Sequence, residues 1–215
     1  MKYLPKHELI LSRCAGKSIL HLGCVGNNDY STEHKVAASP STLHMKLSAA
    51  SRVTGVDISA DAVEEYKRNG ICDNILVGDV EELGKLNLRP EFDWVVVGDL
   101  IEHLSNPGRM LDGVRALCRS DTRVMLTTPH AFGLAPFLRH FRGRFREGLQ
   151  HVMTFNEQNL GNLVRRHCFR IEETGTCYQP ESDTGTLTFK LGRKLFEKFP
   201  HLGGTLYVIL ARDDG

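Results

Sequence analysis

The chain has 215 residues, which is enough for one α/β domain with a full core and too few for two such domains. Its 27 basic and 26 acidic side chains nearly cancel, so the formal charge of +1 gives no general electrostatic argument for nucleic-acid binding. We therefore expect one domain over residues 1–215.

Six cysteines are spread along the chain without a C-x-x-C pair. Their spacing indicates neither a zinc site nor a disulfide framework, and free thiols are typical of a reducing cytoplasm. The N-terminal apolar stretch 9–11 is too short for a signal peptide or a membrane-spanning helix. These features predict a soluble cytoplasmic protein with no transmembrane segment.

The first predicted strand covers residues 18–23 and is followed by turn-forming residues. Gly23, Gly26 and the Asn-Asn pair 27–28 can adopt backbone conformations that most residues avoid. They fit a tight turn where a ligand touches main chain, and they fit an ordinary strand end equally well. Residues 29–41 show no clear period, and a short helix is expected after them.

The next three predicted strands each end in an acidic residue. The strands and their acids are 52–56 with Asp57, 74–78 with Asp79, and 94–97 with Asp99. The continuous apolar run at 94–97 is typical of a strand covered on both faces, in the middle of a parallel sheet. Because ligands bind outside the carboxyl ends of such strands, three acids on one rim predict a polar ligand. Ser59 is predicted to cap the helix 60–69.

The rest of the chain continues to alternate between helix and strand. The predicted helices are 107–119, one from Thr154 or Asn156 to about His167, and 187–199, and the predicted strands are 123–128, 169–172 and 206–210. This alternation predicts a doubly wound α/β sheet. Residues 130–151 carry aromatic and basic side chains instead, which fit either a cap over the site or a plain surface loop. We assign residues 130–155 to a substrate cap.

Five segments occur in an order typical of one enzyme family. They are LHLGCVGN at 20–27, GVDIS at 55–59, GDVE at 78–81, FDWVVVGDLIEHL at 92–104, and HVMTF at 151–155 with a later Cys168-Phe169. Together they resemble class I S-adenosylmethionine-dependent methyltransferases of the branch that acts on small molecules and glycans. The resemblance implies a Rossmann-like, mostly parallel sheet of seven strands with an antiparallel last strand, and S-adenosylmethionine as the cofactor.

The resemblance also implies which residues hold the cofactor. They are Leu22, Gly23, Cys24, Gly26, Asp57, Ile58, Asp79, Val80, Gly98, Asp99 and Leu100. Asp57 would accept both ribose hydroxyls, because a carboxylate can take paired charge-assisted hydrogen bonds. Asp79 would accept from the adenine amino group, and the main chain of 23–26 would lie against the methionine part.

The first motif differs from the commonest family pattern, which has an acid at His21 and glycines at Val25 and Asn27. A catalytically silent protein that only binds the cofactor is therefore one alternative. A nicotinamide-dependent oxidoreductase is another. That class needs G-x-G-x-x-G with an acid about 20 residues further on, whereas Asp57 lies 31 positions past Gly26.

The fourth motif bears on the acceptor. Relatives that methylate base amino groups usually carry an Asn or Asp, two prolines and an aromatic residue there, whereas this chain has Gly-Asp-Leu-Ile at 98–101. The resemblance thus disfavours nucleic acid and implies O-methylation of a small molecule or of a sugar or glycan hydroxyl. The arginines within 139–146 favour an anionic acceptor through opposite charge.

Glu102 and His103 are the predicted catalytic residues. In a helical turn after Asp99, these three side chains would share one face. His103 would take the acceptor proton, oriented by an acid, because an imidazole titrates near neutral pH. Two alternatives stay open. The three residues and His151 could hold a divalent ion, an arrangement that resembles some ubiquinone-pathway and RNA-end methyltransferases, or Glu102 and His103 could only brace the main chain. We predict no metal site.

Overall fold

The structure is a computed structural model that describes residues 3–26, 31–144, 148, 150–179 and 185–215. Its strands are β1 (Ser18–Leu22), β2 (Arg52–Asp57), β3 (Ile75–Val77), β4 (Trp94–Gly98), β5 (Arg123–Pro129), β6 (Phe169–Cys177) and β7 (Thr205–Arg212). They form one sheet in the order β3-β2-β1-β4-β5-β7-β6. Strand β7 is antiparallel to both neighbours, and the other pairs are parallel. The predicted seven-stranded, mostly parallel sheet with an antiparallel last strand is confirmed.

The helices in the described residues are α1 (Lys6–Cys14), α2 (Thr32–Ala38), α3 (Leu43–Ala50), α4 (Ala60–Arg68), α5 (Pro107–Leu117), α6 (Leu134–Phe141), α7 (Glu157–Arg166) and α8 (Leu187–Lys198). Asn156 caps α7 through its side chain, which accepts a hydrogen bond from the amide of Asn159 at 2.9 Å. None of these helices is both long and apolar enough to cross a lipid bilayer.

Strand β4 lies at the centre of the core, because its alternate side chains enter two different hydrophobic clusters. Val95 and Val97 pack in the cluster that includes α5 and α7. Val96 packs in the cluster that includes α1 and α3. Burial on both faces is the reason for the unbroken apolar run in this strand.

The strand registers bring the carboxyl ends of four parallel strands to one edge. Leu22 lies beside Val56 and Val97, and Asp57 lies beside Val77. The loops after β1, β2, β3 and β4 therefore leave the sheet together, as the sequence predicts.

Two helices in the first half of the chain have no counterpart among the predicted elements. Helix α1 buries Leu9, Ile10 and Cys14, which recur at helical spacing. Helix α2 has a weak period, because Val36 is its one large apolar residue. Its first turn is capped by Ser31, whose side chain accepts a hydrogen bond from the backbone amide three positions later at 3.3 Å.

Ser59 occupies the N-cap position of α4, as predicted, but its side chain does not cap the helix. The side chain of Ser59 makes no capping hydrogen bond. Instead its Oγ accepts a hydrogen bond from Lys35 Nζ at 3.0 Å, and its amide donates to Asp57 Oδ1 at 2.9 Å. Ser59 thus connects the end of β2 to α2.

Two predictions in the second half of the chain also need correction. Strand β6 runs beyond the predicted 169–172 to Cys177, because pairing with β7 continues past an irregularity between Ile171 and Glu173. The predicted cap contains the helix α6. Residues 145–147 and 149 of the predicted cap, which include Phe145 and Arg146, lie outside the described residues. The Asn-Asn pair at 27–28 also lies outside them.

Candidate active site

A cavity of about 720 Å³ lies at the carboxyl edge of the sheet. Most of the predicted site residues line it, namely Gly23, Gly26, Asp57, Ile58, Asp79, Val80, Gly98, Asp99, Leu100, Glu102 and His103. Leu22 and Cys24 do not, because both side chains are buried in hydrophobic clusters. These two residues can therefore face a ligand only through main chain.

The loop after β1 depends on glycine at its first position. Gly23 has a φ of +67°, a conformation that L side chains rarely adopt. A Cβ atom there would lie 2.9 Å from the side chain of Leu100, in the loop after β4. The absence of a side chain at Gly23 therefore lets the two loops approach each other beside the cavity.

Asp57 braces the same loop from the end of β2. It is buried, and its Oδ2 accepts a hydrogen bond from the amide of Val25 at 2.8 Å, while Oδ1 accepts from the amide of Ser59. Each carboxylate oxygen can accept more than one hydrogen bond. Asp57 can thus hold the loop and still accept from a ligand hydroxyl in the cavity that it lines.

The residues that follow β2 and β3 add apolar surface and an acceptor to the cavity. Ile58, which is 60% exposed, and Val80 both line it. Asp79 accepts a hydrogen bond from the amide of Glu81 at 2.8 Å through Oδ1. A flat heterocycle with an exocyclic amino group matches this pairing.

His21 lies behind the glycine loop and does not line the cavity. Its Nδ1 is 3.3 Å from Nδ1 of His44, whose Nε2 is 3.1 Å from Asn74 Oδ1. Burial, and then the nearby His44, lowers the pKa of His21 well below its ordinary value. A neutral imidazole therefore occupies the position of the acid in the commonest first motif.

Asp99 is clamped by side chains from distant parts of the chain. Its Oδ2 accepts hydrogen bonds from Lys6 Nζ and Gln179 Nε2, each at 2.5 Å, and its Oδ1 accepts from Thr127 Oγ1 at 2.8 Å. Burial alone would raise the pKa of Asp99, but the charge of Lys6 and these hydrogen bonds hold it below its ordinary value. Lys6 and Gln179 lie 93 and 80 positions away and belong to no motif, so the sequence did not indicate them.

Glu102 lies in the 3-10 turn Ile101–His103 and is only 1% exposed. Its Oε2 accepts a hydrogen bond from Thr128 Oγ1 at 2.9 Å, whereas the buried Oε1 has no partner among the described residues. Burial, followed by the charge of Asp99, raises the pKa of Glu102 to about 8. This carboxyl group can therefore gain or lose a proton close to neutral pH.

Two histidines complete a cluster with Glu102. One potential ligand atom from each of Glu102, His103 and His151 lies within 4.8 Å of the other two. The two imidazole rings are almost perpendicular, with centroids 4.8 Å apart. The amide of Val152 donates to the carbonyl of Glu102 at 2.9 Å, which holds the two segments together.

The predicted common face of Asp99, Glu102 and His103 is therefore only partly correct. Asp99 has a φ of +48°, and its carboxylate binds Lys6 and Gln179 instead of joining the cluster.

A second cavity, of about 300 Å³, adjoins the first. Both cavities are lined by Glu102, Pro129, His151 and Gln179. The second is rich in aromatic rings that contact one another: Tyr3 with Tyr178 at 5.1 Å, Tyr3 with Phe196 at 5.0 Å, and Tyr178 with Phe189 at 5.2 Å between centroids. A polar cavity and an aromatic cavity thus meet at the Glu102 cluster.

The strand order, the antiparallel β7 and a polar cavity at the carboxyl edge define a class I methyltransferase fold. Residues 6–174 match a family described as a methyltransferase domain, and the chain belongs to this family. It is an S-adenosylmethionine-dependent methyltransferase, and S-adenosylmethionine is its cofactor.

Solved structures share the fold at low sequence identity. A chain in the complex between the Haloferax volcanii Trm112 methyltransferase activator and a putative methyltransferase gives a TM-score of 0.61 at 14% identity, covering 97% of this chain and 88% of that one. A TehB-like SAM-dependent methyltransferase from Corynebacterium glutamicum gives a TM-score of 0.58 at 14% sequence identity. The match covers 96% of this chain and 86% of that one. Magnesium protoporphyrin IX methyltransferase from Synechocystis with bound SAH gives a TM-score of 0.58 at 16% sequence identity. The match covers 96% of this chain and 79% of that one. No curated protein matches the chain.

The larger cavity fits this cofactor in its donor and acceptor set. Asp57 offers the carboxylate that a ribose diol needs, and Ile58 with Asp79 offers a face and an acceptor for adenine. The glycine loop leaves its main chain accessible for the methionine part.

Proposed function

We propose that the protein transfers a methyl group to a hydroxyl oxygen of a small-molecule acceptor, such as a sugar, a glycan or a ring-bearing metabolite, bound in the aromatic cavity. The observation that carries this proposal is Oε1 of Glu102, which has no hydrogen-bond partner in the described part of the chain and belongs to a residue that lines both cavities. S-adenosylmethionine supplies an electrophilic methyl group on a sulfonium. A hydroxyl that attacks it must lose its proton as the methyl–sulfur bond breaks, and Glu102 in its ionised form would accept that proton.

We assign the general base to Glu102 in preference to His103. Glu102 borders both cavities, whereas His103 borders the larger one only. A base works best when its pKa is near the working pH, and the pKa of Glu102 is raised to about 8. His103 and His151 would then orient the acceptor or relay its proton.

The aromatic cavity supports an acceptor that carries a ring. Rings stack on or contact aromatic faces, and Tyr3, Tyr178 and Phe196 supply such faces. Arg139 lines the same cavity and would attract an acidic group on the acceptor. Arg142 and Arg144, which belong to the segment predicted to bind the anion, are exposed and do not line it.

A divalent ion at the cluster is a second candidate. Glu102, His103 and His151 offer one carboxylate and two imidazole ligands within 4.8 Å of one another. Such an ion would lower the pKa of an acceptor hydroxyl and take over the task assigned to the base. Asp99 does not belong to this ligand set, because Lys6 and Gln179 hold its carboxylate.

The two candidates can be separated with methyl-labelled cofactor and a panel of hydroxylated acceptors that includes phenols, sugars and sugar acids. Glu102→Gln should lower kcat by roughly 10²- to 10⁴-fold and leave cofactor binding within a few-fold. The exposed Glu91→Gln is the matched control. Loss of activity with a chelator and recovery with Mg²⁺ or Zn²⁺ would favour the metal. Full activity of Glu102→Gln would refute both roles.

We also propose that the chain works as one domain in a cytoplasmic setting. All six cysteines are free, including the exposed Cys168, which supports a reducing environment. Residues 130–155 flank the aromatic cavity, which supports their predicted role at the acceptor site.

A further inference from the structure

Exposed apolar side chains are concentrated around the aromatic cavity. Among the described residues, most of the exposed large hydrophobic side chains lie in the segments that form this cavity. These side chains are Phe132, Phe137, Leu138, Phe141, Val152, Leu191, Leu195 and Phe199. Each lies within three positions of a residue that lines the cavity. We call these eight side chains the rim surface. The concentration of exposed apolar side chains in the segments that form one cavity indicates a binding function.

Helix α6 contributes one half of the rim surface. Ala135, Pro136 and Arg139 line the cavity, whereas Phe137 and Phe141 lie four positions apart on the other side of the helix. The two phenyl rings stack with centroids 6.5 Å apart, and Phe141 is 81% exposed. Helix α6 therefore lines the cavity on one side and exposes apolar rings to solvent on the other.

Helix α8 repeats this arrangement with a basic stripe beside the apolar one. Phe189 and Phe196 line the cavity. The exposed apolar residues recur every four positions, as Leu191, Leu195 and Phe199. One position before each of them is a lysine, at Lys190, Lys194 and Lys198. Adjacent apolar and basic stripes are typical of a helix that lies in a membrane interface.

The charge around the rim surface differs from that of the whole chain. Residues 131–144 contain three arginines and no acid, and residues 185–199 contain three lysines, one arginine and one glutamate. The chain as a whole has a formal charge of only +1. The basic side chains are therefore concentrated beside the exposed apolar ones, which complements an anionic, partly apolar surface.

We propose that the rim surface docks on a membrane that contains anionic phospholipids. The apolar side chains enter the headgroup region, and the flanking lysines and arginines contact lipid phosphates. A single-stranded nucleic acid fits less well, because Leu191 and Leu195 offer no aromatic face for base stacking. A second copy of the chain fits less well too, since a two-fold contact would bring like charges together.

Docking in this way would bring the segments that form the aromatic cavity to the bilayer. If the proposed function holds, the acceptor is an amphiphile whose ring or sugar carries the hydroxyl while its apolar part stays in the membrane. This consequence rests on the proposed function, whereas the docking itself does not.

Vesicle flotation of the purified protein tests the docking directly. The protein should float with vesicles of phosphatidylcholine containing about a third phosphatidylglycerol, float poorly with phosphatidylcholine alone, and lose binding as salt rises. The double variants Phe141→Ser with Leu191→Ser, and Lys194→Gln with Lys198→Gln, should each weaken binding by roughly tenfold or more. Leu76→Ser and Lys85→Gln change exposed residues outside the rim surface and should bind as the wild type does.

Absence of flotation with anionic vesicles would overturn the proposal. Binding of a single-stranded RNA oligonucleotide in place of vesicles, with that binding lost in the same variants, would also overturn it. A dimer detected by light scattering that dissociates in the same variants would do so as well. Calorimetric titration of each variant with S-adenosylmethionine gives a separate readout. A protein that binds the cofactor but no vesicles refutes the docking alone, whereas one that binds vesicles and the cofactor but methylates none of the hydroxylated acceptors refutes the proposed function alone.

Discussion

Glu102 should make the stability of the protein depend on pH in a way that one substitution removes. The ordinary pKa is 4.5 and the pKa in the folded protein is about 8, a difference that corresponds to about 5 kcal/mol. Between these values the folded protein keeps a proton that the unfolded chain has lost. The free energy of unfolding therefore falls as pH rises through this window, and the loss is complete above about pH 8.

The substitution Glu102→Gln should abolish this component. The amide stays neutral, and its oxygen can still accept the hydrogen bond from Thr128 Oγ1. Urea unfolding at about pH 5 should give similar stabilities for the two proteins, whereas at about pH 8.5 the variant should be more stable by about 3 to 5 kcal/mol. The exposed Glu91→Gln should follow the wild type. Parallel pH profiles for wild type and Glu102→Gln would refute the raised pKa and, with it, the assignment of the base.

Three further predictions concern the surrounding residues. Lys6→Met leaves the carboxylate of Asp99 without its cation and should cost about 3 kcal/mol in the free energy of unfolding, measured by urea titration; an unchanged midpoint would contradict the clamp. Gly23→Ala forces a side chain into a φ of +67° beside Leu100 and should cost about 1 to 3 kcal/mol and weaken cofactor binding, which calorimetry and thermal unfolding measure. Arg139→Gln should raise the KM of an acidic acceptor about tenfold or more without changing that of a neutral one, whereas Arg142→Gln should change neither; an equal effect of the two variants would remove Arg139 from the acceptor site.

Local sequence patterns predict most of the fold and most of the residues that line the larger cavity. The apolar run of β4 follows directly from burial on both faces of a central strand. Asp57 and Asp79 directly follow predicted strands, and parallel pairing brings such ends to one edge. The sequence leaves the role of Gly23 open between a ligand-binding turn and an ordinary strand end, and its φ of +67° beside the cavity supports the turn.

The Asp99 clamp and the Glu102 cluster could not be derived in the same way, because long-range contacts create them. Lys6 and Gln179 reach Asp99 only after the sheet has formed, and neither stands in a recognisable pattern. The raised pKa of Glu102 comes from burial among residues that are distant in sequence. Asp99 was expected to join Glu102 in a helical turn, but its positive φ directs the carboxylate elsewhere.

Calorimetric titration with S-adenosylmethionine tests the central claim most directly, namely that the cofactor is held at the carboxyl edge of the sheet by Asp57. The wild type should bind in the low- to mid-micromolar range, a free energy of about 7 to 8 kcal/mol. Asp57→Ala should lose about 1.5 to 3 kcal/mol of that affinity, while the exposed Asp73→Ala should lose none. Equal affinity in the wild type and Asp57→Ala, or no binding by the wild type, would contradict the account.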